Sequence, residues 1–189
     1  LVLVDAAANY EYLAGDLTRT YPAGGRFTPP QREIYEVVLA AQEAGIDAAV
    51  PGATLADVHQ KTVDVIRNGL LRLGLITDAG GEQYRLWFTH GSVHYIGIDV
   101  HDVGDLDRPL EPGMAFVIEP GIYVRQAAIE SLNRTEANAK MIDAIRPAVT
   151  RYLDIGVRIE DAFILEPGGL RRLTSDVPRS VDEIEAFLQ

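Results

Sequence analysis

His90-Gly91-Ser92-Val93-His94-Tyr95-Ile96-Gly97-Ile98-Asp99-Val100-His101-Asp102 holds three of the chain's four histidines, and whether it is helix or strand decides the fold. His90 and His94 stand four apart, the spacing at which a helix presents two imidazoles to one zinc ion. Gly91, however, occupies the place where that helical motif carries its glutamate. Gly91, Gly97 and the β-branched neighbours disfavour a helix and suit extended chain. The region from Trp87 to Asp102 therefore reads as short, glycine-broken strand, with its histidines presented from a sheet.

Working outward, two stronger strands follow, Met114 to Val124 and Gly156 to Leu165, each with a carboxylate inside an apolar run. These acids are Glu119 in Val-Ile-Glu-Pro-Gly and Glu160 in Val-Arg-Ile-Glu-Asp. Upstream, Leu1 to Ala7 and Asp16 to Tyr21 read as another strand pair turned at Gly15, the first in buried surroundings. They carry Asp5 in Val-Asp-Ala and Asp16 in Gly-Asp-Leu-Thr, a faint echo of the later pair.

Helices fill the intervals. Thr28-Pro29-Pro30 caps a run in which Ile34, Val37, Val38, Ala41 and Ala48 keep helical spacing, ended by Pro51-Gly52. Thr54 with Asp57 forms a capping box for a second helix that stops at Gly74. A further helix is predicted around Glu136 to Leu153, and Ser180-Val181-Asp182-Glu183 caps a short last one. The expected fold is α+β, a curved antiparallel sheet backed by two long helices.

Composition limits the chemistry. With 189 residues the chain is of one-domain size, and 47% apolar with 24% charged residues is ordinary for a globular protein. A formal charge of −11 argues against a nucleic-acid partner, which needs a basic face. No run of apolar residues is long enough for a transmembrane helix. There is no cysteine, which removes thiolate metal sites, disulfides and cysteine nucleophiles and is compatible with a reducing, cytoplasmic setting. Any metal here is held by carboxylates and imidazoles.

Four acids in apolar runs, with histidines near by, call for a cation, because a buried unpaired carboxylate is costly. Four carboxylates and one imidazole carry more negative charge than one divalent ion needs. That suits two adjacent Mn²⁺, Co²⁺, Fe²⁺ or Zn²⁺ ions. His59, on the polar side of the second helix, reads as a plain surface residue.

At these residues the chain resembles the pita-bread metallopeptidases, the family of methionine aminopeptidase, aminopeptidase P and prolidase. The resemblance rests on the order Asp5, Asp16, His94, Glu119, Glu160 and runs over nearly the whole chain. His90 to Asp102 and Gly156-Val157-Arg158-Ile159-Glu160-Asp161 resemble the proline-specific branch in particular. It implies that Asp5 binds one ion, Asp16 and Glu160 bridge both, and His94 with Glu119 completes the second. It also implies that Glu119 shuttles a proton, that His90 and His101 line the substrate site, and that Arg158 orients Glu160. Thr18, taken to share a face with Asp16, is expected to support it.

The implied activity is metal-dependent cleavage of an N-terminal Xaa-Pro bond in a peptide with proline second, by a water between the two ions. Residues 1–189 are then one catalytic-domain piece, with the first half of the pita-bread fold and any N-terminal domain elsewhere. That half supplies one more active-site histidine in relatives, and the full-length protein is expected to be a homo-oligomer. Arg158 and the three histidines speak against methionine aminopeptidase, and the retained ligands against a metal-free binding module. An Xaa-Pro dipeptidase is the alternative. Two departures from the family pattern are the long connection from Arg125 to Ile155 and Ser92-Val93 within the histidine phrase.

Overall fold

The computed structural model describes residues 1–189. Strand β1 (Val2–Asp5) pairs antiparallel with β4 (Thr18–Tyr21), and the small hairpin of β2 (Asn9–Tyr10) and β3 (Leu13–Ala14) lies between them in sequence. The chain reverses at Glu11 and Tyr12, both at positive φ, and Gly15 is not the turn. β1 forms where the sequence predicts a strand, but it is not buried: Val2 and Val4 are 48% and 42% exposed.

Helices α1 (Pro29–Ala48) and α2 (Leu55–Arg72) follow the predicted bounds. Gln31 Oε1 accepts from the Thr28 amide, and Thr54 and Asp57 satisfy each other's backbone amides at the start of α2. Their apolar stripes face each other, with Ile34, Val37 and Val38 of α1 and Val63, Ile66 and Leu70 of α2 in one core. No helix is long and apolar enough to cross a membrane.

The remaining strands are β5 (Val93–Tyr95), β6 (Ala115–Ile118), β7 (Gly121–Tyr123), β8 (Gly156–Arg158), β9 (Asp161–Glu166) and β10 (Gly169–Arg172). All pair antiparallel, β10-β9-β6-β5 in one ladder and β7-β8 in another. Sequence periodicity did not separate β6 from β7 or β8 from β9. Ile118 pairs with Asp161 and Gly121 with Arg158, so Glu119-Pro120 and Ile159-Glu160 form a level break in what is otherwise one ladder. Pro120 lacks the amide that would continue the ladder.

Helices α3 (Gln126–Glu130) and α4 (Glu136–Tyr152) lie in the excursion between β7 and β8, and α5 (Val181–Phe187) ends the chain. α3 and β10 carry no strong sequence signal. Ile145, Val149 and Tyr152 of α4 join the core that lies between α1, α2 and the strands β7 and β8. The site sits where the broken ladder, β5 and β4 meet.

Candidate metal centre

The four acidic side chains reach the site from three backbone devices. Asp5 ends β1, and Asp16 lies just before β4. Glu119 and Glu160 both issue from the level break, where the chain is freed from the pleat. His94 sits in β5 opposite Val117. One cleft of about 430 Å³ is lined by Asp5, Asp16, His90, His94, His101, Glu119, Arg158 and Glu160, together with Gly91 and Val93. All eight residues singled out in the sequence thus come together.

Donor atoms in the cleft fall into overlapping groups, each with its atoms within 4.8 Å of one another. One is Asp5, Asp16 and Glu160, and another is His94, Glu119 and Glu160. Asp16 and His94 form a third group with His101, which the sequence reading had kept out of the ligand set.

His94 presents a free ring nitrogen to the cleft. Its Nδ1–H donates to the Tyr95 carbonyl at 3.0 Å, which leaves Nε2 as the free acceptor. Nε2 lies 3.5 Å from Asp16 Oδ2, 3.5 Å from Glu119 Oε1 and 3.8 Å from Glu160 Oε1. Burial lowers the pKa of His94 and so favours the neutral, metal-binding form.

The acids crowd one another. Burial first, then the neighbouring Asp16 and Asp5 charges, push Glu119 up to about 7 against the opposing pull of Arg158. Burial likewise pushes Glu160 up to about 8; its hydrogen bond from Thr18 opposes this, and Glu119, Asp16 and Asp5 add to it. Asp16 is raised by burial and by Asp5. His94 Nε2 and Glu160 Oε1 are buried and lack any hydrogen-bond partner. Such orphans inside a group of repelling carboxylates fit divalent cations, which would partner the first and neutralise the second.

Several sequence expectations change. Asp5 is not buried: its carboxylate is 49% exposed and pairs with the Arg158 guanidinium. Arg158 makes no direct hydrogen bond or ion pair with Glu160 and reaches it through Thr18, because β8 ends at Arg158 and strand alternation does not carry across the break. Its Nε donates to Thr18 Oγ1 at 3.2 Å and its NH1 to the Tyr123 hydroxyl at 3.4 Å. Thr18 supports Glu160 rather than Asp16, donating to Oε2 at 2.6 Å. His59 is no plain surface residue: its Nδ1 lies 2.8 Å from Ser92 Oγ, which is also 2.6 Å from Thr62 Oγ1. That trio, with Thr62 and Ser92 buried and His59 half-buried, backs the strand carrying His94, and the Ser92 carbonyl accepts from the Glu119 amide at 2.8 Å.

Tyr123 went unnoticed in the sequence. Its hydroxyl lies 2.7 Å from His90 Nε2, so His90, Tyr123, Arg158 and Asp5 form one polar chain along the cleft wall. The available signal was a tyrosine in the apolar strand that follows Glu-Pro-Gly. His101 is exposed, its ring centroid 4.2 Å from that of His94.

Comparison with known proteins settles the family. The profile of metallopeptidase family M24 matches residues 1–167. This chain belongs to metallopeptidase family M24. The Xaa-Pro aminopeptidase of Haemophilus influenzae is 40% identical to this M24 chain over 197 residues, which take in 100% of the chain and 42% of that protein. Aminopeptidase PepP of Pseudomonas aeruginosa superposes with a TM-score of 0.81 at 39% identity, covering 98% of this chain and 40% of that one. Zinc-substituted Escherichia coli aminopeptidase P in complex with product gives 0.79 at 35%, again covering 98% and 40%. The M24 chain therefore has the aminopeptidase P fold, as the sequence resemblance implied, and spans about two fifths of the length of the relatives it matches.

Proposed function

We propose that this M24 chain carries the metal-binding part of an Xaa-Pro aminopeptidase, which removes the N-terminal residue from peptides with proline in second place. One observation carries the reading: the donor groups Asp5–Asp16–Glu160 and His94–Glu119–Glu160 share Glu160, as two neighbouring ions with a common carboxylate require. The names of the relatives supply the bond specificity. In the proposed assembly the remaining fold lies in chain outside these residues, and the full-length protein is a homo-oligomer.

Two divalent ions, manganese being favoured by the oxygen-rich donors, would supply Lewis acidity toward a water and the scissile carbonyl. Asp5, Asp16, His94, Glu119 and Glu160 would hold them. Glu119 has two roles available, because its oxygens face different neighbours. Oε1 lies 3.5 Å from His94 Nε2, while Oε2 is 3.9 Å from Arg158 Nε and 4.0 Å from His90 Nδ1. On this reading Oε2 takes a proton from the attacking water and passes it to the proline nitrogen as the C–N bond breaks. His101 donates to the oxyanion that develops on the carbonyl, and His90, its Nδ1–H held by the Gly91 carbonyl at 2.6 Å, lines and orients the substrate site. Arg158 holds Asp5 and Thr18 in place.

The test is hydrolysis of Xaa-Pro-Yaa peptides by the protein containing this chain, before and after chelation and Mn²⁺ reloading. Metal-dependent release of the first residue is expected. A loaded protein that leaves Xaa-Pro-Yaa intact overturns the assignment, and cleavage of Xaa-Pro dipeptides alone would make it a dipeptidase.

A further inference from the structure

Behind the cleft, Arg19 and Asp161 form an ion pair at 2.7 Å with side chains 1% and 0% exposed. Neither residue lines the cleft. For a pair so deep, the cost of removing both charges from water roughly cancels their attraction, so stability alone does not explain it. The hydrogen bonds show what the pair holds. Arg19 NH1 donates to the carbonyls of Glu160 at 2.6 Å and Thr18 at 3.0 Å, and Nε donates to the Pro178 carbonyl at 2.8 Å. Asp161 Oδ2 accepts from Gln42 Nε2 at 3.0 Å, and the same Nε2 lies 3.1 Å from the carbonyl of Ile118, the residue before Glu119. Thr174 also donates to Asp161 Oδ1.

Alternation along β4 puts Arg19 on one face and Thr18 and Thr20 on the other. On that other face Thr20 Oγ1 takes the Arg158 amide at 3.1 Å and gives to its carbonyl at 3.0 Å. The Glu160 amide donates to the Thr18 carbonyl at 3.0 Å. Across the level break the Ile159 amide still reaches the Pro120 carbonyl at 3.3 Å, and Arg19 takes up the Glu160 carbonyl.

We infer that the Arg19–Asp161 pair is a positioning device for the metal centre. It fixes the backbone from which Glu160 projects and, through Gln42 and Ile118, the backbone from which Glu119 projects. The two glutamates thereby keep the separation that the ions need. The inference rests on the metal-centre reading above.

The test compares the wild-type protein with Arg19→Met/Asp161→Leu and with Arg19→Lys. The double variant replaces the pair by apolar side chains, which buried pairs often tolerate without loss of stability. Arg19→Lys keeps the charge but gives up the guanidinium's fork of donors. Two quantities are read: the thermal midpoint of the metal-free protein, and Mn²⁺ affinity by calorimetric titration. The expected result is a metal-free protein that still folds, with affinity about 10–100-fold weaker, the scale of losing an outer support of a metal ligand. The midpoint of the double variant is nonetheless lowered, because Gln42, Thr174 and the Glu160 carbonyl lose buried partners. Native affinity in a folded variant overturns the inference. Should the double variant fail to fold, Arg19→Lys carries the same decision. A wild-type protein that takes up no Mn²⁺ sinks the metal-centre reading itself, and that outcome is seen before any variant is compared.

Discussion

Thr18 Oγ1 donates a 2.6 Å hydrogen bond to Glu160 Oε2, and the other oxygen, Oε1, is left buried and unpartnered 3.8 Å from His94 Nε2. One half of the carboxylate is anchored and the other is free for a cation. Thr18→Val keeps the shape and removes the donor. It is expected to weaken Mn²⁺ binding about 10–100-fold while the metal-free protein stays folded. Calorimetric titration measures this, and unchanged affinity would show that Glu160 orients itself.

The metal-free protein should lose stability as pH rises. Glu119 and Glu160 titrate at about 7 and about 8 when folded, against 4.5 for an ordinary glutamate. These two groups hold more protons in the folded than in the unfolded state, so they give stability a negative slope with pH. His59, His90 and His94, lowered by burial, oppose this below about pH 6.5, so the fall is expected between about pH 6.5 and about pH 8. Scanning fluorimetry of chelated protein should show a midpoint falling through this window, with Mn²⁺ raising it most at the alkaline end. A midpoint indifferent to Mn²⁺ at pH 8 would contradict the prediction.

Glu119→Gln is expected to abolish turnover in the protein containing this chain, with a smaller loss of metal than Asp16→Asn. The first substitution removes a proton carrier and keeps an oxygen near His94; the second strikes a residue in two donor groups. Metal content beside kcat separates the two. Turnover near the wild-type level in Glu119→Gln would refute the proton-transfer role.

The histidines divide in a way that metal analysis can check. His94→Ala should strip metal. His90→Ala and His101→Ala should lower kcat about 100-fold or more with metal content nearly unchanged. His101 is the sharper case, because it lies within ligand reach of Asp16 and His94. If His101→Ala loses metal as His94→Ala does, His101 belongs among the ligands.

Support from the helices is testable at Gly45. A Cβ there would lie 2.9 Å from Thr62 Cγ2 on α2 and 3.0 Å from Ile118 Cγ2 on β6, closer than carbon atoms pack. Gly45→Ala is expected to destabilise the fold by about 1–3 kcal/mol through overpacking. Urea denaturation measures it, and a neutral result would mean that α2 shifts freely.

Much of this was legible in the residues. Thr28, Thr54 and Ser180 marked helix starts that the structure keeps, because caps are local chemistry. Residues projecting into the cleft were found because acids in apolar runs are anomalous. The break at Glu119 and Glu160 was not legible, since an apolar run looks the same whether its ladder is continuous or interrupted. Arg158 was misdirected for that reason: alternation was carried across two residues that are not strand. His59 was misread because helical periodicity cannot see that Ser92, far off in sequence, meets its ring. Arg19 looked like any charged residue on a strand, and only its five hydrogen bonds show otherwise.

The connection between β7 and β8 is pinned at its base, where the Val124 amide reaches the Ile155 carbonyl and the Asp154 amide returns to Val124, both at 2.9 Å. The excursion through α3 and α4 therefore leaves and rejoins the sheet at one closed clamp, and Glu119 and Glu160 lie on the sheet side of it. Their spacing is set by the paired strands on either side of the break and by the Arg19–Asp161 support behind it, and not by the length of chain that joins them. Residues added or removed at the exposed tip between α3 and α4 are therefore expected to leave both carboxylates where they are.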